Sequence, residues 1–268
     1  MTARAAEAAA GEEPIDAAVP ALLLCRYLAA GGDALQDALG LALARALDLA
    51  ARDPTVVGRA SWLTLLVEAT AVADDERMRP AIAELVAALQ AGWPAQTAID
   101  DVSASVEACL RAAEIVEPGD LLQNAIDHLE RVIGGSYRPG DGLVRERDGI
   151  RVRCGLADHV RGASALLTAF ELTGRLPYSM LAEELIAIAR REPPAAGAPE
   201  IRCELARVLC RLASLHDAPG YRGAALVAAG ADYRAEAAHI LAAESARARA
   251  GSPSAAAVYG LALLDLLK

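Results

Sequence analysis

Apolar residues recur at helical spacing along nearly the whole chain, and each such stretch stops at a short break. The first predicted helix runs from Asp16 to Ala30 and stops at Gly31-Gly32. Asp33 suits the N-cap of a second, which carries Leu35, Leu39, Leu43 and Leu47 and ends before Pro54. A third opens at Ser61-Trp62. A fourth opens at Asp74-Asp75, passes through Ile82, Leu85, Val86 and Leu89, and ends at Gly92-Trp93-Pro94. Asp100-Asp101 opens a fifth, and the turn Pro118-Gly119-Asp120 leads into a sixth that ends at Gly134-Gly135. Aspartates suit these starts because a carboxylate accepts from the free N–H groups and favours the positive end of the helix dipole.

The rhythm then breaks. Tyr137-Arg138-Pro139-Gly140-Asp141-Gly142 is turn chemistry, and Leu143–Arg147 and Ile150–Cys154 flank Asp148-Gly149. An Asp-Gly pair between two extended runs predicts a two-residue hairpin, with Glu146 facing Arg151. A lone hairpin is marginal in water, so it is expected to lie on a helical body. Helical periodicity resumes over Leu156–Thr173, Pro177–Arg191, Pro199–Leu215, Pro219–Ala250 with a break near Gly230, and Pro253–Leu267. Proline's fixed φ fits the first helical turn.

The helices come in pairs. Units begin near Pro14, Ser61, Asp100, Leu156, Glu200 and Pro253, a spacing of about 40 to 55 residues that is typical of helical-pair arrays. Such arrays stack openly or close into a ring. The last segment, Tyr259-Gly260-Leu261-Ala262-Leu263-Leu264, carries no charge before Asp265 and needs a partner on more than one side. Closure against the first helix supplies one. The expected fold is therefore all-α: an α/α toroid of six-hairpin type, about eleven to twelve helices, with one short β-hairpin near 143–154. Residues 1–13 read as a disordered tail and 14–268 as a single domain.

Composition sharpens this picture. Of 268 residues 54% are hydrophobic but only 3% aromatic. Much of the apolar excess is alanine, which favours helix and close helix packing over a β-sandwich. The net charge of -10, with no dense basic cluster, argues against nucleic-acid binding. Cys25, Cys109, Cys154, Cys203 and Cys210 are odd in number and widely spaced. Cys203 and Cys210, seven apart on one helix face, read as packed thiols, and the set as a whole points to a reducing, cytoplasmic compartment. Ala21–Cys25 faintly resembles a lipoprotein cleavage box. The apolar stretch before it is short and acidic, so a buried helix is the better reading. No apolar run is long enough to predict a membrane span.

Residues Gly142 to Ile188 resemble a known pattern: a hairpin with an Asp-Gly turn, the helix start Leu156-x-Asp158, a helix of small residues and leucine, then Glu171, Thr173-Gly174 and a second helix. This is similar to the helical C-terminal region of the thioredoxin-domain proteins related to spermatogenesis-associated protein 20. Ile201 to Tyr221 resembles the next unit of that region. The resemblance implies an (α/α)₆ toroid of the six-hairpin glycosidase type, related in fold to N-acylglucosamine 2-epimerases. The thioredoxin-like domain is lacking, and neither Trp62 nor Trp93 sits in the Trp-Asn-Gly context expected early in that region.

In such a toroid, ligands meet the starts of the inner helices. Asp158, on the family's Leu-x-Asp position, and Asp101 with its neighbour Asp100 are candidate catalytic carboxylates, and Glu204 is a candidate across the funnel. Glycosidases need two such groups. Each aspartate also reads as a helix cap. His159, Tyr137 and Arg138 are candidate ligand-binding residues, and the hairpin arginines Arg145, Arg147, Arg151 and Arg153 suit an anionic or sugar ligand. Trp62 and Trp93 are either sugar-stacking platforms or core plugs. His128, His159, His216 and His239 are scattered and none adjoins a cysteine, so no metal site is expected, and no cofactor motif occurs. Two functions remain: a toroid binding or processing a carbohydrate-like ligand in its funnel, or a non-catalytic helical scaffold for a protein partner.

Overall fold

The computed structural model describes residues 18–31, 36–50, 52–116, 120–147, 149–191, 198–224 and 230–268. The N-terminal tail and residues 16–17 of the first expected helix, the Asp33 cap, Pro118-Gly119 and Asp148 lie outside them. The chain runs α1 (Ala18–Ala29), α2 (Gln36–Ala50), α3 (Val56–Ala69), α4 (Met78–Gly92), a 3₁₀ turn at Trp93–Ala95, α5 (Ile99–Ala112) and α6 (Leu121–Ser136). Three strands follow: β1 (Tyr137–Arg138), β2 (Gly142–Arg147) and β3 (Ile150–Arg153). Then come α7 (Leu156–Thr173), α8 (Leu176–Ala189), α9 (Pro199–Asp217), the short α10 (Pro219–Ala224), α11 (Tyr233–Ala250) and α12 (Pro253–Leu266).

Six helices, α1, α3, α5, α7, α9 and α12, form an inner ring in which each packs on the next and α12 closes onto α1. Helices α2, α4, α6, α8 and α11 back them from outside. An outer helix returns the chain between most successive inner ones, so the inner helices run in one direction and their N-termini gather at one end. The fold is the expected α/α toroid. Ring closure has the expected cause: Ala255–Ala262 is buried throughout, which requires neighbours on several sides. Ala69, Ala112, Ala163, Ala182 and Ala262 are fully buried, and small side chains let the helices approach closely.

Several helix starts differ from expectation. The third helix begins at Val56, not Ser61, because Thr55 caps it by accepting from the N–H of Gly58 (3.0 Å). The fourth begins at Met78, and Asp75 instead closes the preceding turn by accepting from the Arg77 N–H (2.9 Å) and its guanidinium. The segment from Pro219 divides as expected, into α10 and α11, the latter capped by Asp232, which accepts from Ala235 N–H (3.0 Å).

The hairpin has the expected register, with Glu146 opposite Arg151 and Arg147 opposite Ile150, and Gly149 takes φ +74°. β1 adds a third antiparallel strand, Tyr137 opposite Leu143. The sheet rests on α6, α7 and α8 through β2. Leu143 is the buried anchor. A methyl on Gly162 of α7 would meet its side chain at 3.2 Å.

Candidate functional site

The inner ring encloses a cavity of about 180 Å³, bordered by side chains from all six inner helices. One wall is mostly apolar, with Val19 and Leu22 of α1, Val57 and Ala60 of α3, and Val258 and Leu261 of α12, and it also carries Arg26, Ser61 and Thr64. The facing wall, from α5, α7 and α9, carries Glu107, Arg111, Arg161, Ser164, Glu204, Arg207 and Arg211.

At the N-terminal end of the ring, a carboxylate cluster surrounds Arg161. Its Nε donates to Glu204 Oε2 (3.1 Å) and its Nη1 to Asp100 Oδ2 (3.4 Å). Asp100 and Asp101 occupy the first turn of α5. Burial raises the proton affinity of Asp101. The charges of Asp100 and Asp158 add to this, and Arg161 opposes it. Asp158 sits in the first turn of α7, buried, its Oδ2 accepting from the Gly155 N–H (3.0 Å) as a helix cap. Three of the expected catalytic carboxylates, Asp101, Asp158 and Glu204, are thus brought to one end of the ring.

Toward the C-terminal end, arginines and carboxylates knit the helices together. Arg26 of α1 donates through Nε and Nη2 to Glu68 of α3 (2.6 and 2.5 Å) and reaches Asp265 of α12 (3.5 Å). Arg207 donates through Nε to Asp265 (2.9 Å). Glu107 lies between Arg111 (2.7 Å) and Arg211 (3.4 Å). Burial alone would push its pKa up, but the two guanidiniums prevail and hold it at about 2. Arg211 also donates to Ser164, Thr168 and Glu171. Its proton affinity is lowered by burial and by Arg111, against the pull of Glu107 and Glu171. Sequence reading missed this network. Its trace in the sequence is pairs of charges four apart, Glu107 with Arg111 and Arg207 with Arg211, which share a helix face.

The other candidates lie elsewhere. His159 is buried and joins hairpin to helix. Its Nε2 accepts from the Leu143 N–H (3.1 Å), which places the proton on Nδ1, 2.8 Å from the Gly155 carbonyl. Tyr137 is half-buried. Burial and its bond to Glu184 push its pKa up to about 12. Arg138 Nη1 donates to the Tyr137 carbonyl (2.6 Å). Arg145, Arg151 and Arg153 are exposed, and Arg147 lies outside the residues whose side chains are described. Trp62 is 1% exposed, and its Nε1 donates to Asp53 Oδ2 (3.3 Å). Trp93 is buried, donates to Ser105 (2.9 Å) and stacks on His128 at 4.6 Å. Neither indole borders the central cavity. All five cysteines are free and buried, and burial raises each thiol's pKa, to about 11 for Cys25 and about 12 for Cys203. Among the described residues, no three His, Cys, Asp or Glu converge as a metal site, and no helix is long and apolar enough to cross a membrane.

The fold has counterparts among solved structures. The GH76A α-1,6-mannanase from Salegentibacter sp. HEL1_6 superposes with a TM-score of 0.69 at 11% identity, covering 96% of this chain and 89% of that one. An inactive variant of that mannanase, with two consecutive aspartates changed to asparagine and α-1,6-mannotriose bound, gives 0.68 at 11% identity over 95% and 88%. A second inactive variant, with both changed to alanine, is complexed with α-1,6-mannotetrose and gives the same score. No family model matches the sequence, and no curated protein does. The likeness is one of fold: a glycosidase-type α/α toroid.

Proposed function

We propose that this toroid binds and hydrolyses a carbohydrate at the N-terminal end of its inner ring. The observation that carries the reading is the consecutive pair Asp100-Asp101 opening an inner helix, with Arg161 joining Asp100 to Glu204 at the edge of the cavity. Consecutive aspartates are also what was replaced in the inactive mannanase variants of the same fold. Glycoside hydrolysis needs one carboxyl that keeps its proton and one that does not. Burial and acidic neighbours suit Asp101 to give its proton to the glycosidic oxygen. Glu204 supplies the second carboxylate, toward water or the anomeric carbon. Asp158, engaged as a cap, acts through its charge on Asp101. The exposed hairpin arginines at this end are suited to hydroxyl or anionic groups of the substrate. The likeness of Gly142–Ile188 to the helical region of proteins related to spermatogenesis-associated protein 20 fits the same fold type, and unpaired thiols suit a reducing, cytoplasmic compartment.

The test is incubation with α-1,6-linked mannooligosaccharides and a panel of other oligosaccharides, with products separated by chromatography. Turnover is expected for at least one of them, falling about 10²-fold or more in Asp101→Asn. A second reading, a helical scaffold for a protein partner, is favoured by one observation: neither tryptophan borders the cavity, so no indole platform is offered to a sugar. Absence of both turnover and binding across the panel would leave that reading in place.

A further inference from the structure

Each arginine bordering the cavity has a carboxylate partner, but the partners are unevenly shared. Asp265 is contacted by three cations: Arg207 (2.9 Å), Lys268 (3.0 Å) and Arg26 (3.5 Å). Within ion-pair distance, Glu68 relieves it by pairing with Arg26. Three positive charges therefore share two negative ones at this corner. The Asp265 carboxyl responds as expected: burial would raise its proton affinity, but Arg207 and Arg26 pull it below the usual range. By contrast, Arg111 and Arg211 are matched by Glu107 and Glu171.

Arg111 engages only its Nη2, but of the cavity arginines Arg207 is the one with both terminal nitrogens open among the described residues. Its Nε is held by Asp265, while Nη1 and Nη2 meet no acceptor among the described residues, and its side chain borders the cavity. Arg211, one turn along α9, has every nitrogen engaged. A guanidinium fixed at Nε presents its terminal fork end-on, the arrangement that takes a carboxylate through two parallel hydrogen bonds. Val258 and Leu261 of the neighbouring α12, with Val19 and Leu22 of α1, also border the cavity and give it apolar surface suited to a carbon skeleton. The volume, about 180 Å³, lies below the roughly 300–1,000 Å³ of drug-sized ligand sites, so the occupant is a single ring and not an oligosaccharide. Glu107 and Glu204 also border the cavity, which disfavours a dianion.

We propose that the central cavity binds a monosaccharide-sized monocarboxylate, a sugar acid of the hexuronate class, with its carboxylate on the Nη1/Nη2 fork of Arg207. The saccharide half of this assignment rests on the carbohydrate reading above; the carboxylate half does not. The experiment is calorimetric titration of the intact chain with D-glucuronate, D-glucose and cyclohexanecarboxylate, repeated on Arg207→Lys and Arg207→Gln. Arg207→Lys keeps the charge beside Asp265 but removes the fork, so a folding defect in the glutamine variant leaves the question answerable. Glucuronate is expected to bind at least tenfold more tightly than glucose, and Arg207→Lys is expected to weaken it about tenfold with glucose unchanged. If glucose binds as well as glucuronate and neither variant matters, the carboxylate site is overturned while the carbohydrate reading survives. If cyclohexanecarboxylate binds through Arg207 as tightly as glucuronate, the saccharide half fails and the anion site stands. Silence from all three overturns the proposal.

Discussion

Gly58 shows how a single position can be constrained by a neighbour that helical periodicity does not reveal. A methyl group there would lie 2.0 Å from Asp53 Oδ2. That buried carboxylate accepts from the Thr55 N–H (2.9 Å), the Thr55 hydroxyl (2.7 Å) and Trp62 Nε1 (3.3 Å). Gly58→Ala is therefore expected to destabilise the fold by about 1–2 kcal/mol in urea titration, the displaced carboxylate outweighing alanine's better helix propensity of about 1 kcal/mol. Asp101 offers the opposite sign. Its folded-state proton affinity is raised, so its deprotonation opposes folding above the usual carboxylate range. Asp101→Asn should raise the melting temperature at neutral pH by about one or two degrees. The difference should vanish in acid, where the wild-type carboxyl is protonated. Asp101 and Asp158 were legible as helix-start carboxylates because caps follow local rules. The surroundings of Trp62 were not, because its partner Asp53 lies in the turn before the helix, nine residues back, where helical periodicity gives no signal.

At the scale of elements, the unit starts near Asp100, Leu156, Glu200 and Pro253 lie within a residue of where inner helices begin, and the hairpin register follows from the Asp-Gly spacing. The starts expected at Ser61 and Asp74 are displaced by local bonds: Ser61 lies inside the helix that Thr55 caps, its hydroxyl donating to the Val57 carbonyl, and Asp75 closes the turn ahead of Met78. The ties between elements are side-chain pairs far apart in sequence, and Glu107 is the most engaged. It belongs to α5, accepts from Thr168 of α7 (3.0 Å) and contacts Arg211 of α9. Its carboxyl is held at about 2 against an ordinary 4.5. The stability it contributes is present above the ordinary value and is lost as pH falls from there toward 2. Glu107→Gln should cost about 2–4 kcal/mol at pH 7, because Arg111 and Arg211 lose their shared partner. Its stability should converge on wild type in acid, which denaturant titrations at several pH values will read.

For the whole molecule, the decisive contact is between the two ends of the described chain, α12 on α1. Arg26 and Asp265 tie the same helices together with polar contacts. Removing residues 251–268 deletes one of six inner helices and exposes the flanks of α1 and α9. That truncated chain is expected to lose cooperative thermal unfolding, whereas an open stack would lose only its terminal unit. Calorimetry separates the two.

The sequence by itself determined the helices, their pairing, the hairpin and the argument for closure, because apolar period, turn residues and an uncharged last segment act locally or through burial alone. It also placed the acidic helix starts that gather at one end of the ring. The tertiary structure decided which charges meet: Arg161 with Asp100 and Glu204, Glu107 with Arg111 and Arg211, and three cations on Asp265. Those pairings depend on how inner helices are rotated about their own axes. That rotation is set by packing across the whole ring, and no short stretch of sequence encodes it.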